Sequence, residues 1–340
     1  VNSPWKSVAR AFLLAAVLAW AATPVAAQNN SVEKLLPDNT EMVLTVNVKG
    51  LLESAIVKKH AMEQFDQMMQ QNQQVMGLMK AMNFDPRKDL TSFTFAASNI
   101  KLEVAPGQQP NGDAEPFIIV KGNFDLEKVK AGLSAIFAAA SGDKKVKVSE
   151  YGTYAIYETQ EGNKPMFGVF LDKETAVIAD GKDKVTAAID RAEGKKYSKM
   201  GESFKSLFSK ADQKKTIWMA MLMPGSLKEQ ARNMPQGGEQ IEKLDGMTMA
   251  VNVTEMLVLD FNMFTTDVAT AQQIKQGIDQ AKVFLGGMLE IQVPDQELGK
   301  QLADVVSNIA VGERDKQVSI KAEIKGDLIE KLIKMAQRGG

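Results

Sequence analysis

Leu257-Val258-Leu259-Asp260-Phe261-Asn262-Met263-Phe264, then Asp267, then Ala271, Ile274, Ile278, Ala281, Leu285 and Met288, reads as a strand, a turn and a helix in one stretch. The three-four spacing of the last six residues puts them on one helical stripe, with Gln272, Gln273, Lys275, Gln276, Asp279 and Lys282 facing away. Asp267 stands where a carboxylate can accept the free N–H groups of a helix start. The same order occurs about 140 residues earlier, where Phe117-Ile118-Ile119-Val120 leads through Asp125 into a helix over 126–137.

Working outward, the strand–turn–helix signature appears at four more places. Met42 to Val48 precedes a helix from Leu51, Ala176-Val177-Ile178 precedes Asp183 to Ala192, Ile217 to Met223 precedes Ser226 to Arg232, and Val318 to Ile324 precedes Asp327 to Ala336. A further strand stands after the first unit of each half, Thr91 to Phe95 and Gly246 to Val251. Val318, Ile320, Ala322 and Ile324 alternate with Ser319, Lys321 and Glu323, the pattern of an antiparallel strand with one buried face. The expected fold class is therefore α+β: two divergent copies of one unit, mainly antiparallel sheet with helices packed on one face. The first copy is expected over 28–195, with a Met- and Gln-rich helical insertion at 61–82. A connecting segment over 196–215 leads to the second copy, 216–340.

Residues 1–27 read as a cleavable secretory signal. Lys6 and Arg10 precede the uncharged apolar run Ala11 to Ala22, and Val25-Ala26-Ala27 forms a small-residue cleavage site before Gln28. An apolar run of about a dozen residues falls short of the roughly 20 that cross a bilayer, so the expectation is an exported product, periplasmic or extracellular, with no span after cleavage. The sequence has no cysteine, which excludes disulfides, thiol nucleophiles and a lipid-modified cysteine. Beyond residue 27 stand 39 basic and 42 acidic residues, a balance that gives no reason to expect nucleic acid or an anionic membrane surface as partner.

Chemistry-bearing motifs are sparse. The single histidine, His60, restricts imidazole catalysis and metal binding, and its neighbours Glu63 and Asp66 make only an underpowered metal set. Ser-x-x-Lys occurs at Ser31, Ser98 and Ser141, but without a helix start or a Lys-Thr-Gly partner, and no Gly-x-Ser-x-Gly elbow is present. No catalytic residue, metal ligand or cofactor is assigned. Methionine is the unusual quantity, with 19 residues. Met219, Met221 and Met223 share one face of a strand, Met247 and Met249 one face of another, and Phe65, Met69, Met76 and Met79 form an apolar stripe on the expected insertion. These nine residues are the candidate ligand-binding set. Their plainer reading is core packing; an apolar groove is the functional one, and Cu(I), for which thioethers are soft ligands, is the least favoured.

Leu35-Leu36-Pro37-Asp38-Asn39-Thr40, followed by the strand Met42 to Val48 and by Leu51-Leu52-Glu53-Ser54, resembles exported bacterial proteins of unknown function, including ones common in planctomycetes. The resemblance implies a secreted or periplasmic protein and brings no catalytic residues. The sequence therefore points to an exported non-catalytic protein with a binding or structural role in the envelope, its partner an envelope protein or an apolar ligand. Its alternatives are a periplasmic carrier of a lipid or other apolar ligand, and a carboxylate-dependent hydrolase.

Overall fold

The computed structural model describes residues 32–60, 84–103, 111–129, 131–132, 147–161, 164–234, 237–293 and 295–338, with 62 and 77 as single positions. The expected leader over 1–27 lies outside the described residues, as does all of the 61–82 insertion except 62 and 77. In chain order the elements are α1 (Val32–Leu35), β1 (Met42–Val46), α2 (Val48–Glu53), α3 (Ala55–His60), β2 (Leu90–Glu103), β3 (Asn111–Gly122), β4 (Lys147–Tyr151), β5 (Tyr154–Glu161), β6 (Lys164–Phe170), β7 (Thr175–Ala179) and α4 (Lys182–Ala192). They continue with α5 (Glu202–Lys210), β8 (Ile217–Leu222), α6 (Gly225–Ala231), β9 (Leu244–Val253), β10 (Met256–Thr265), α7 (Val268–Gln292), α8 (Gln296–Ser307), β11 (Ala310–Arg314), β12 (Gln317–Lys325) and α9 (Gly326–Arg338), and short helical turns lie besides at Pro86–Asp89 and Gly238–Glu242. The class is α+β, with antiparallel pairing in both units.

Two compact units share these residues. The first takes the described residues up to Lys49, those from 84 to Leu102 and those from 111 to Lys205; the second takes Gly50 to His60, Glu103 and everything from Ser206.

In the first unit the strand order is β1-β2-β3-β7-β6-β5-β4. Leu44 lies opposite Phe95 and Ile119 opposite Val177. Phe117 to Val120 and Ala176 to Ala179 are buried at every position, which is why they read as unbroken apolar runs: both faces of a central strand are covered. Val185, Ala188 and Ile189 of α4 supply part of that cover. Phe124 and Phe170 meet edge-on with ring centroids 5.7 Å apart. The β4–β5 hairpin turns on Gly152, whose φ of +60° suits a two-residue turn and suits few other residues.

In the second unit the order is β8-β9-β10-β12-β11. Here the two sheet faces differ. Trp218, Ala220 and Leu222 share a face with Ala250, Thr248 and Gly246 opposite them. That face lies under α5, where Phe208 packs edge-on against Trp218 at 5.5 Å. Gly246 permits the approach, since a Cβ there would stand 2.7 Å from the Leu207 side chain and 2.6 Å from the Met221 carbonyl. The other face, at Val251, Val253, Leu257 and Ile324, is packed by Ile329 and Ile333 of α9 and by Leu51, Ile56 and Val57 of α2 and α3. Helices therefore cover this sheet from both sides, which corrects the one-face expectation. The cause lies in the register: the Trp218 face turns polar at β10 and β12, where Asp260, Asn262 and Lys321 stand, so only its β8–β9 end needs a helix.

Two helix starts hold as expected. Asp267 caps α7 by accepting the Thr270 N–H at 2.7 Å, and Asp125 accepts the Lys128 N–H at 3.2 Å. The helices expected from Asp183 and Asp327 begin one residue earlier, so each carboxylate is the second residue of its helix, where it still favours the positive helix end. The stripe on α7 also differs. Ala271 is buried and Ile274, Ile278 and Met288 are half-buried as expected, but Ala281 and Leu285 are exposed, and Lys282, Gly286 and Leu289 are half-buried in that part of the helix. Lys282 explains the rotation, because its ammonium bonds the Ile309 carbonyl that leads into β11.

α3 is fastened to α9 by charge. Glu330 accepts from Lys59 and Lys334, each at 2.7 Å, and the Lys334 and Lys59 ammonium groups hold its carboxyl down to about 2. A depressed carboxylate contributes its stability above the unfolded value near 4.5 and loses it as pH falls through the folded value. Carboxyl-carbon NMR should therefore place the Glu330 midpoint near pH 2, and Lys59→Ala should raise it; an ordinary midpoint in the native chain would show that the tie does not form.

Candidate functional site

The five strand methionines of the candidate set come from β8 and β9, which pair directly. Met219 lies opposite Met249 and Met221 opposite Met247. The register carries both rows onward across β10 and β12: Met249 faces Phe261, which faces Ile320, and Met247 faces Met263, which faces Val318. Directly opposed residues of antiparallel strands point to the same side, so these eight side chains share one apolar side of the sheet, on which Val318 is fully buried. Met219, Met221, Met247, Met249, Phe261 and Met263 each keep part of their area open to solvent, while Trp218, Ala220, Thr248 and Ala250 behind them are sealed. The α3–α9 cluster closes the surface at its Val251–Leu257–Ile324 end.

Met223 follows β8 with its N–H bonded to the Asp245 carbonyl at 3.0 Å, continuing the line of Met219 and Met221. Phe65, Met69, Met76 and Met79 lie outside the described residues. Sequence reading missed Phe261 and Met263. Their alternation with Asp260 and Asn262 carried the signal, but only the pairing register joins them to the β8 and β9 methionines.

Two carboxylates share one ammonium in the first unit. Lys184 Nζ donates at 2.7 Å both to Glu115 Oε2 and to Asp180 Oδ1, and Asn99 Nδ2 donates at 2.6 Å to Glu115 Oε1. Asn99, Glu115 and Asp180 line a cleft of about 280 Å³. Hydrogen bonds from Lys184 and Asn99 hold the Glu115 carboxyl below the usual range, whereas a carboxylic acid that donates a proton near neutral pH needs its pKa raised. The arrangement is that of an ion-pair network. Among the described residues no three His, Cys, Asp or Glu side chains gather closely enough to hold a metal. His60 lies 3.7 Å from Glu330 through Nε2, and its sequence neighbours Glu63 and Asp66 are outside the described residues. No helix among the described residues is long and apolar enough to cross a membrane.

The Leu35 to Thr40 motif is architectural. Leu35 and Leu36 are fully buried, Thr40 Oγ1 donates to the Pro37 carbonyl at 2.7 Å, and Asp38 Oδ1 accepts from Arg191 Nη2 at 2.9 Å and from the Lys199 N–H at 3.0 Å. It thus ties the entry to β1 onto the end of α4 and the segment after it. Residues 7–276, which include this motif and the methionine-bearing strands, match the family model described as "Protein of unknown function (DUF3352)". The chain belongs to the DUF3352 family. The DUF3352 match runs from before α1 into α7, so β8, β9 and β10 fall inside it and β11, β12 and α9 fall beyond it. No curated protein matches the sequence. A similar solved chain, described as "Structure of crystal form I of TP0453", shares 12% identity at a TM-score of 0.43, covering 91% of this chain and 99% of that one.

Proposed function

We propose that this DUF3352 protein is an exported, non-catalytic binding protein whose methionine-lined sheet face holds an apolar ligand such as an acyl chain. The observation that carries the reading is the contrast between the two sides of β8 and β9, one sealed and one lined by four methionines that stay partly open. Methionine suits such a surface because its unbranched, polarizable side chain adapts to ligands of varied shape. Export rests on the order of Lys6, Arg10, the Ala11–Ala22 run and Val25-Ala26-Ala27.

The two units are read as divergent copies of one ancestor. Equal strand orders support this, β1-β2-β3-β7-β6 in the first and β8-β9-β10-β12-β11 in the second. So do the paired positions Ile119–Val177 and Phe261–Ile320, and the two capping residues Asp125 and Asp267, each about 140 residues apart. In this view the first copy kept Ile119 as sealed core, and the second opened the matching face.

Native mass spectrometry of the purified protein incubated with palmitate tests the ligand. One palmitate per chain is expected, lost in Met249→Asp. A chain that stays free of palmitate would overturn the acyl reading.

A further inference from the structure

We propose that Met221, Met247 and Met263 form a Cu(I) site on the same sheet face. Three neighbouring strands each place a methionine in one row, Met221 opposite Met247 and Met247 opposite Met263. Adjacent strands lie about 4.8 Å apart, so the outer two thioethers flank the central one symmetrically. Each sulfur ends a side chain with three rotatable bonds and can swing over Met247 without moving the backbone. The next row brings Met219 and Met249 alongside as further thioether donors.

Ligand chemistry decides the ion. A set of neutral thioethers with no carboxylate among them offers little to Zn²⁺, Mg²⁺ or Ca²⁺, whereas soft sulfur ligands select Cu(I). The sequence has no cysteine, and its one histidine, His60, lies beside Glu330 on α9, so neither thiolate nor imidazole competes from this row. Partial exposure lets an ion reach the sulfurs, and the packed Trp218 face behind them holds the strands in register. The site shares Met221 and Met247 with the acyl-binding face, but it is built on the three-strand register and requires no bound acyl chain.

The test is Cu(I) titration of the purified full chain, without oxygen, against a chromophoric Cu(I) chelator. One Cu(I) per chain is expected, with a sulfur-only shell by X-ray absorption. Met247→Leu conserves volume and apolar character, so it should weaken Cu(I) by at least about tenfold, the loss of a ligand costing no less than the loss of an outer-shell partner, while leaving the unfolding midpoint unchanged. Met335→Leu, on the exposed part of α9, should change nothing. A chain that leaves the chelator untouched, or a Met247→Leu variant with undiminished affinity, overturns the site. Cu(I) binding without palmitate uptake would sink only the acyl reading.

Discussion

Ala220→Asp is expected to unfold the second unit, whereas Met219→Asp, one residue away, is expected to leave it folded. Ala220 has no exposed surface and sits between Trp218 and Leu222 on the side that α5 covers. A carboxylate there must either stay charged without water or take up a proton, and in both cases its added volume presses on a packed interface. The expected cost exceeds about 4 kcal/mol, a size reserved for changes of this kind. Met219 points to the opposite side, where it keeps contact with solvent, so an aspartate there is expected to cost about 1–2 kcal/mol. Trp218 is the only tryptophan beyond residue 27 and stands 4% exposed, so its fluorescence during urea unfolding reports this unit. Equal losses from the two substitutions would mean that both faces are core, and the binding surface would go with that result.

That pair of residues also marks how far the sequence could be read. Alternation in Met219, Met221 and Met223 states that they share a side, and it cannot state which side is sealed, because Trp218, Ala220 and Leu222 between them are just as apolar. The choice is made by α5, where Phe204, Leu207 and Phe208 have the spacing of a docked helix, but that spacing does not say that Leu207 and Phe208 land on β8 and β9. The strands were legible where runs such as Phe117 to Val120 are continuous, since only a doubly covered strand tolerates four buried residues in succession. Helix starts were legible at Asp125 and Asp267, where the capping bond is local. They were misplaced at Asp183 and Asp327, where Gly181 and Gly326 begin the turn earlier than the carboxylate suggests. Least legible was α3: it follows β1 in sequence, yet Ile56 packs on Val253 and Ile329 in the second unit, a partnership that no window of neighbouring residues contains.

Phe124→Ala is expected to cost the first unit about 3–5 kcal/mol, the range for emptying an aromatic site that cannot collapse. Phe124 is fully buried, and three things hold its ring in place. Phe170 meets it edge-on at 5.7 Å, its N–H donates to the Lys173 carbonyl at 2.8 Å, and Gly122 leaves room so tight that a Cβ would stand 2.9 Å from the ring. Backbone bonds on both sides keep the walls from closing: Gly122 N–H donates to Glu174 at 3.0 Å and Asn123 N–H to Asp89 at 2.8 Å. Phe124→Leu fills most of the space and should cost less than about 1.5 kcal/mol. Amide exchange of 117–120 and 175–179 reads the effect within this unit, and the Trp218 fluorescence of the second unit serves as its control. Because Asp125 caps the helix that starts at 126, a loosened Phe124 also frees the cap, so exchange at Lys128 should rise together with that of the strands. If exchange rises at Lys128 alone, the ring orders only the helix start and the core is held by Phe117, Ile119 and Ile178 without it.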